Sequence, residues 1–196
     1  EPARSFTSEI GPLINRLNPA IRTEPKFNKT IMRLNKDMRF NKGEPYRTYF
    51  LLHFGKYKMD SEFFIYFDKD EVQMGLFINN TTNDDFHFNR NSIRFNIEMI
   101  ESFSEFNLNN KFSLYELNDG PQLVIKKFNA ENHFETLINY RHVLLQKAKQ
   151  PNKLQIYKSE FVIEAVNIFT SLYPIYIFAI SKNPLKDLEK FRSDFL

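Results

Sequence analysis

The segment EFFIYFDKDEVQMGLFI, residues 62–78, decides the fold of this chain. Its two apolar, aromatic-rich runs, residues 62–68 and 71–78, have the composition of buried β-strands. Asp68, Lys69 and Asp70 connect them, and so short and polar a connection is typical of a hairpin. The segment therefore predicts two neighbouring antiparallel strands.

A second hairpin is predicted further along the chain. Residues 112–117 and 122–128 flank Asn118-Asp119-Gly120-Pro121, a strong turn signal. Three further short runs, residues 30–34, 47–54 and 142–146, also have strand composition, and residues 35–44 form a polar loop. Together these runs predict an antiparallel or mixed sheet of about five or six strands.

Helical periodicity lies before, between and after the strands. It covers residues 7–17, 91–106 and 131–140, and a terminal helix opens at Asn183-Pro184. In the second of these helices, Ile93, Ile97, Ile100 and Phe103 are expected on one buried side. The order of elements predicts an α+β fold whose helices cover one face of the sheet. Because no repeat or linker interrupts the 196 residues, we expect one domain over residues 1–196.

The most apolar stretch, residues 161–180, has almost the length of a membrane span. It carries Glu164 and Asn167, however, and Pro174 interrupts it. We therefore predict a buried helix followed by a second short element, and no membrane span.

Most signatures of well-known catalytic sites are missing from the sequence. The five glycines are too scattered for a phosphate-binding or dinucleotide-binding loop, and there is no Gly-x-Ser-x-Gly. The four histidines lack metal-ligand spacing, and there is no cysteine to form a disulfide or bind a metal. We expect no cofactor and no metal site. Absence of cysteine also fits a reducing compartment, so we expect a cytoplasmic protein.

Charge is the positive functional signal. Residues 26–58 contain nine basic and two acidic residues, whereas residues 59–119 contain twelve acidic and four basic ones. The overall charge of +3 therefore conceals a strongly dipolar chain. A concentrated positive charge attracts phosphates, nucleic acid or an acidic partner. The alternative is that the basic segment faces solvent or the acidic segment of the same chain.

Asp37 lies between two arginines of the basic segment and can orient their guanidinium groups for bidentate binding of an anion. The same ion pairs can instead fix a loop to the sheet. Phe40, Tyr46 and Tyr49 can stack on nucleic-acid bases, although aromatic residues beside strands are more often part of the core. The candidate ligand-binding residues are Arg33, Asp37, Arg39, Lys42, Arg47 and His53.

The same segment resembles a known family. The residues that carry the resemblance are Pro25-Lys26, Arg33, Asp37, Arg39-Phe40, Pro45-Tyr46-Arg47 and His53-Phe54. They are similar to the motif Arg-x-x-Arg-Asp-x-Arg-Phe-Ser-x-x-Lys-x-Pro-Tyr-Lys, followed by a strand that ends in His-Phe. This motif is typical of the bacterial and fungal family known as domain of unknown function 2461. Here Lys36 replaces the second arginine and Asn41 replaces the serine. The resemblance implies a compact α+β domain and brings no established activity.

Three functions stay open at this point. The favoured one is a non-enzymatic binding module, whose basic segment binds an anionic small molecule or an acidic protein; nucleic acid is a weaker alternative. The second is an enzyme acting on a phosphorylated or carboxylated substrate, with Asp37 or His53 as acid or base. The third is a structural component of a larger assembly. A partly buried Arg–Asp–His cluster in a pocket would favour the enzyme, and a flat basic surface the binding module.

Overall fold

The computed structural model describes residues 2–33, 43–57, 60–82, 86–150 and 159–195. Within these ranges the chain forms six strands and six helices. The strands are β1 Phe50–Phe54, β2 Glu62–Phe67, β3 Val72–Asn79, β4 Ser113–Leu117, β5 Pro121–Ile125 and β6 His142–Lys149. The helices are α1 Pro2–Leu17, α2 Phe88–Arg94, α3 Asn96–Glu105, α4 Ala130–Asn139, α5 Ser159–Ile180 and α6 Pro184–Phe195.

The six strands form one sheet in the order β1-β2-β3-β6-β4-β5, and every neighbouring pair is antiparallel. Both predicted hairpins are present. In the first, Phe63 pairs with Leu76 and Ile65 with Met74. The α+β class and the six-stranded sheet are therefore confirmed.

Several of the predicted strands are shorter in the structure, β5 among them, which ends at Ile125. Of residues 30–34, the structure describes 30–33, and among these Ile31 forms a bridge to Leu52 of β1. The strand predicted over residues 47–54 begins at Phe50, because Thr48 and Tyr49 form a bend before it. By contrast, β6 runs three residues further than predicted and pairs along its whole length with β3.

The long helix α5 packs on one face of the sheet, called the inner face below. Phe63 of β2 stacks on Phe169 at 4.9 Å between ring centroids and contacts Tyr176 at 4.7 Å. The prediction that this helix ends near Pro174 was wrong: α5 continues through the proline to Ile180. Every residue from 172 to 180 is buried, so tertiary packing on both sides of Pro174 outweighs the hydrogen bond that the proline removes.

By length and composition, α5 is the described helix that would be able to cross a membrane. Within this fold 67% of its most apolar window is buried, which is also how the core helix of a folded domain behaves. The absence of a membrane span stays a prediction.

The helix predicted over residues 91–106 is two helices. Phe95 interrupts it with φ −126° and ψ 39° and ends α2. The interruption changes the phase of the apolar residues, so Ile93 and Ile97 are exposed whereas Phe103 is buried. Our assignment of Ile93 and Ile97 to the buried side was therefore wrong.

The second face of the sheet is called the outer face below. Along β1, β2, β3 and β6, alternate side chains point away from α5. The register places four of these positions in one row across the sheet, His53–Phe64–Gly75–Gln146. Phe64 and Gln146 are buried there, at 6% and 1% exposure, so this face is covered as well.

Candidate functional site

The structure brings two of the six predicted site residues, His53 and Arg47, to the outer face. His53 is the fourth residue of β1, and Arg47 lies three residues before that strand. Arg33 is exposed. Asp37, Arg39 and Lys42 lie outside the described residues.

A carboxylate holds His53 in position. Its Nδ1 lies 2.8 Å from Oε2 of Glu62, the first residue of β2. Because an ionised carboxylate can only accept hydrogen bonds, Nδ1 is the donor, and the ring directs Nε2 away from Glu62. Side-chain exposure is 25% for His53 and 13% for Glu62, so the pair is partly buried.

Arg22 completes this cluster from the chain segment after α1. Its Nη2 donates to Glu62 Oε1 at 2.8 Å and to the carbonyl of Tyr57 at 3.2 Å, and its Nε donates to the carbonyl of Gly55 at 3.1 Å. Glu62 thus receives one hydrogen bond on each carboxylate oxygen, and the one from Arg22 comes from a charged donor. Gly55 makes the approach possible, because a Cβ there would lie 2.4 Å from Glu62 Cγ.

Asp60 lies behind the cluster, in the turn that leads into β2. It is fully buried, and neither of its carboxyl oxygens has a hydrogen-bond partner among the described residues. Burial raises the pKa of Asp60 to about 6; the nearby backbone N–H of Ser61, which is not aligned for a hydrogen bond of normal geometry, opposes this rise, and the charge of Glu62 adds to it. Tyr176 lies close by, and burial together with the Asp60 charge raises the pKa of its hydroxyl. A protonated Asp60 is therefore available close to neutral pH.

A second polar cluster on the outer face surrounds Arg47. Its Nη1 donates to the hydroxyl of Tyr49 at 2.9 Å, and the Tyr49 ring packs on Tyr66 of β2 at 5.1 Å. Tyr66 in turn donates to Asp68 Oδ2 at 3.1 Å. This chain of contacts orients the guanidinium group, yet Arg47 Nε is buried without a hydrogen-bond partner within the described ranges.

Gln146 of β6 is the third polar feature of this face. Both atoms of its carboxamide, Nε2 and Oε1, are buried and lack a partner in the part of the chain that the structure describes. The neighbouring position in β3 is Gly75, where a Cβ would lie 2.1 Å from the carbonyl oxygen of Leu145. Close approach of the two strands therefore requires glycine, and no side chain stands between Gln146 and Phe64.

The outer face thus combines groups able to bind a polar molecule. Arg47 and His53 offer donors, and Gln146 offers a donor and an acceptor. Metal binding has less support, because no group of three or more His, Asp or Glu side chains suited to a metal exists among the described residues.

A separate cleft lies between α1, α5 and α6. It measures about 360 Å³, and its charged lining is balanced, with Arg16 and Lys190 against Asp187 and Asp194. The sequence-predicted site residues that the structure describes, Arg33, Arg47 and His53, do not line it. Its polar lining includes Ser181, whose hydroxyl already donates to Asp187 at 2.6 Å. Among the described residues, the outer face is therefore the better candidate, because its buried polar atoms lack hydrogen-bond partners.

Sequence reasoning missed Arg22, Asp60, Glu62 and Gln146. One signal was available for Glu62, since a charged residue opening the apolar strand β2 faces the side away from the core. Because side chains alternate along a strand, Gln146 points to the face opposite to that of its neighbour Leu145 in β6. Arg22 and Asp60 gave no comparable signal, because their importance depends on contacts between distant segments.

The comparisons with known proteins agree with the resemblance carried by the segment from Pro25 to Phe54. No curated protein and no solved structure matches the chain. One family model does match it, over residues 1–178, which end inside α5. The chain therefore belongs to the family of conserved hypothetical proteins called domain of unknown function 2461, DUF2461.

Proposed function

We propose that this domain binds a small anionic ligand on the outer face of its sheet, with Arg47 as the principal donor and His53 beside it. The observation that carries the proposal is the buried Nε of Arg47, which has no partner among the described residues. A buried donor without a partner costs about 1–3 kcal/mol, and more when it is charged. A ligand oxygen bound to Nε would remove that cost.

The surroundings of Arg47 favour an anion over a neutral ligand. Within the described ranges Arg47 forms no ion pair, and Tyr49 holds Nη1 without neutralising the charge. Nε and an Nη group of one guanidinium form a planar fork that matches two oxygens of a phosphate or carboxylate. This favours a phosphate-bearing or carboxylate-bearing small molecule over an acidic protein or nucleic acid.

His53 lies close enough to Arg47 along the sheet to contact the same ligand. Tyr66, on which Tyr49 packs, and Phe64, which pairs with His53, are two residues apart on the same face of β2. His53 is therefore about 7 Å along the sheet from the row that carries Tyr66. One ligand of modest size can reach both Arg47 and His53.

The second candidate is an enzyme that uses the same ligand as substrate. The geometry that favours it is His53 Nδ1 bound to Glu62 at 2.8 Å while Arg22 holds the other carboxylate oxygen. A carboxylate that orients a histidine leaves Nε2 to transfer a proton, as in general acid–base catalysis. Glu62 is the acid that contacts His53 here, whereas Asp37, the acid considered in the sequence analysis, lies outside the described residues.

Titration calorimetry with ribose 5-phosphate and citrate tests the binding proposal. Arg47→Gln should weaken binding at least about tenfold, and Arg47→Lys nearly as much because lysine lacks the planar fork. Arg94→Gln is the matched control: Arg94 is exposed on α2 and also lies over an aromatic ring, that of Phe95, at 5.0 Å. If the parent protein binds neither probe, or if both Gln variants bind alike, Arg47 is not a ligand-binding residue.

Following the same mixtures by NMR separates the binding module from the enzyme. Under the enzyme hypothesis a bound ligand is converted over hours, and His53→Gln abolishes conversion while binding is largely retained. Binding without conversion by the parent protein favours the module for the probes tested.

A further inference from the structure

The unpartnered carboxamide of Gln146 points to a more specific class of ligand. We infer that the anionic ligand also carries a planar group with adjacent hydrogen-bond donor and acceptor, a lactam or nucleobase edge, which Gln146 binds through both amide atoms. This inference rests on the proposed function for the anionic part of the ligand. It adds a neutral recognition element on the same face.

Burial is the first argument. Gln146 is 1% exposed, and both Nε2 and Oε1 lack partners among the described residues. Buried side-chain amides nearly always form hydrogen bonds, so a glutamine with both atoms unmet needs an explanation. A group with one donor beside one acceptor satisfies both atoms at once, as amide side chains do when they bind a base edge.

The neighbours of Gln146 are the second argument. In the row across the sheet it is followed by Gly75, which carries no side chain, and then by the ring of Phe64. Neighbouring strands are about 4.8 Å apart, so Phe64 and Gln146 are separated by about 10 Å, and Gly75 brings no side chain to the sheet position between them. This spacing suits a flat ring whose edge meets the amide and whose face meets the phenyl group.

The position of Arg47 sets the overall size of the ligand. Arg47 is held by Tyr49, and the ring of Tyr49 contacts Tyr66. Tyr66 lies two residues from Phe64 on β2 and pairs with Gln73 of β3. Tyr66 lies one strand before Gln73, and Gln146 lies one strand and one row beyond it, so Tyr66 and Gln146 are roughly 12 Å apart. A nucleoside monophosphate has this size and both chemical groups.

The test compares the four ribonucleoside 5′-monophosphates with ribose 5-phosphate, which shares their anionic part and lacks the base. Uridine supplies the base without the phosphate. We expect at least one nucleotide to bind ten times or more tightly than ribose 5-phosphate. Gln146→Met, which keeps the shape of the side chain and removes both hydrogen-bonding atoms, should reduce that preference to about twofold or less. Because it removes unmet buried polar atoms, it should also keep or raise the melting temperature of the unliganded protein.

The outcomes separate the two proposals. If ribose 5-phosphate binds through Arg47 and every nucleotide binds equally well, the Gln146 inference is overturned and the proposed function stands. If uridine binds in a Gln146-dependent way but ribose 5-phosphate does not bind, the proposed function fails and the Gln146 site stands. If none of the probes binds, or if Gln146→Met keeps the preference for a nucleotide, Gln146 does not recognise a base.

Discussion

Asp60 should make the stability of this protein fall as the pH rises through the slightly acidic range. Its carboxyl group is fully buried and has no hydrogen-bond partner among the described residues, and burial raises its pKa from 3.8 to about 6. Between these two values the folded state holds a proton that the unfolded state has released. The contribution of Asp60 to the free energy of unfolding is therefore highest below pH 3.8 and decreases until the pH exceeds 6.

The size of the effect follows from the shift. A difference of about two pKa units corresponds to about 3 kcal/mol, of which about 2.5 kcal/mol falls between pH 4 and pH 7.5. Asp60→Asn keeps the shape of the group and cannot ionise. Any cost of the new amide hydrogens is the same at both pH values, so it cancels when the change in stability is compared between them. The free energy of unfolding of Asp60→Asn, relative to that of the parent protein, should thus increase by about 2.5 kcal/mol between pH 4 and pH 7.5.

Urea unfolding at pH 4, 5, 6 and 7.5 measures this difference, and Asp70→Asn is the control. Asp70 is in the β2–β3 turn with a side chain that is 74% exposed, and its replacement removes the same charge. Its effect on the free energy of unfolding should be nearly independent of pH. Parallel pH profiles for the Asp60 and Asp70 variants would refute the reasoning, because they would mean that Asp60 is ionised at no cost in the folded protein.

Two further substitutions test the packing around the sheet. Asn91→Ala should lower the free energy of unfolding by about 2–3 kcal/mol, because the Asn91 side chain donates 2.8 Å hydrogen bonds to two carbonyls at the end of α5; chemical denaturation measures the loss, and Asn91→Asp, which cannot donate, should not restore it. Gly55→Ala should cost about 1–3 kcal/mol, since its Cβ collides with the Glu62 side chain. In a Glu62→Ala background the same substitution should cost much less, and equal costs in the two backgrounds would mean that Gly55 is needed for its backbone conformation instead.

The hairpins were the most predictable part of the fold because the information for them is local. Apolar runs of strand length and a short polar connection lie within residues 62–78, and the two strands pair antiparallel as predicted. The same reasoning failed at Phe95 and Pro174, where distant contacts decide. Asn91 of α2 binds the carbonyls of Phe178 and Ser181, which fixes α2 against the end of α5. Sequence periodicity carries no information about such a contact.

The candidate site shows the same division. His53 and Arg47 belong to a continuous motif and were identified from it, whereas Glu62, which orients His53, lies on the next strand and Arg22 comes from an earlier segment. Each of these side chains has ordinary alternative roles when it is considered alone. Their importance becomes visible once the β1–β2 register is known, because the register determines which polar groups share a face.

The charge asymmetry of the chain gains a physical interpretation from these contacts. Of the described basic residues in the segment 26–58, Lys26 and Lys29 pair with Glu24, which lies outside the acidic segment, and these pairs are exposed and weak. Between the two segments, the described polar contact is that of His53 with Glu62, whose carboxylate already pairs with Arg22. The described contacts thus leave the charge of Arg47 without an ion-pair partner from the acidic segment.

Tyr49 orients the guanidinium group of Arg47, which is partly buried and has no ion-pair partner among the described residues. Its positive field acts on any molecule that approaches the outer face, and a low local dielectric constant strengthens that field. Among the described residues, the charge asymmetry is thus compatible with the anion binding proposed above.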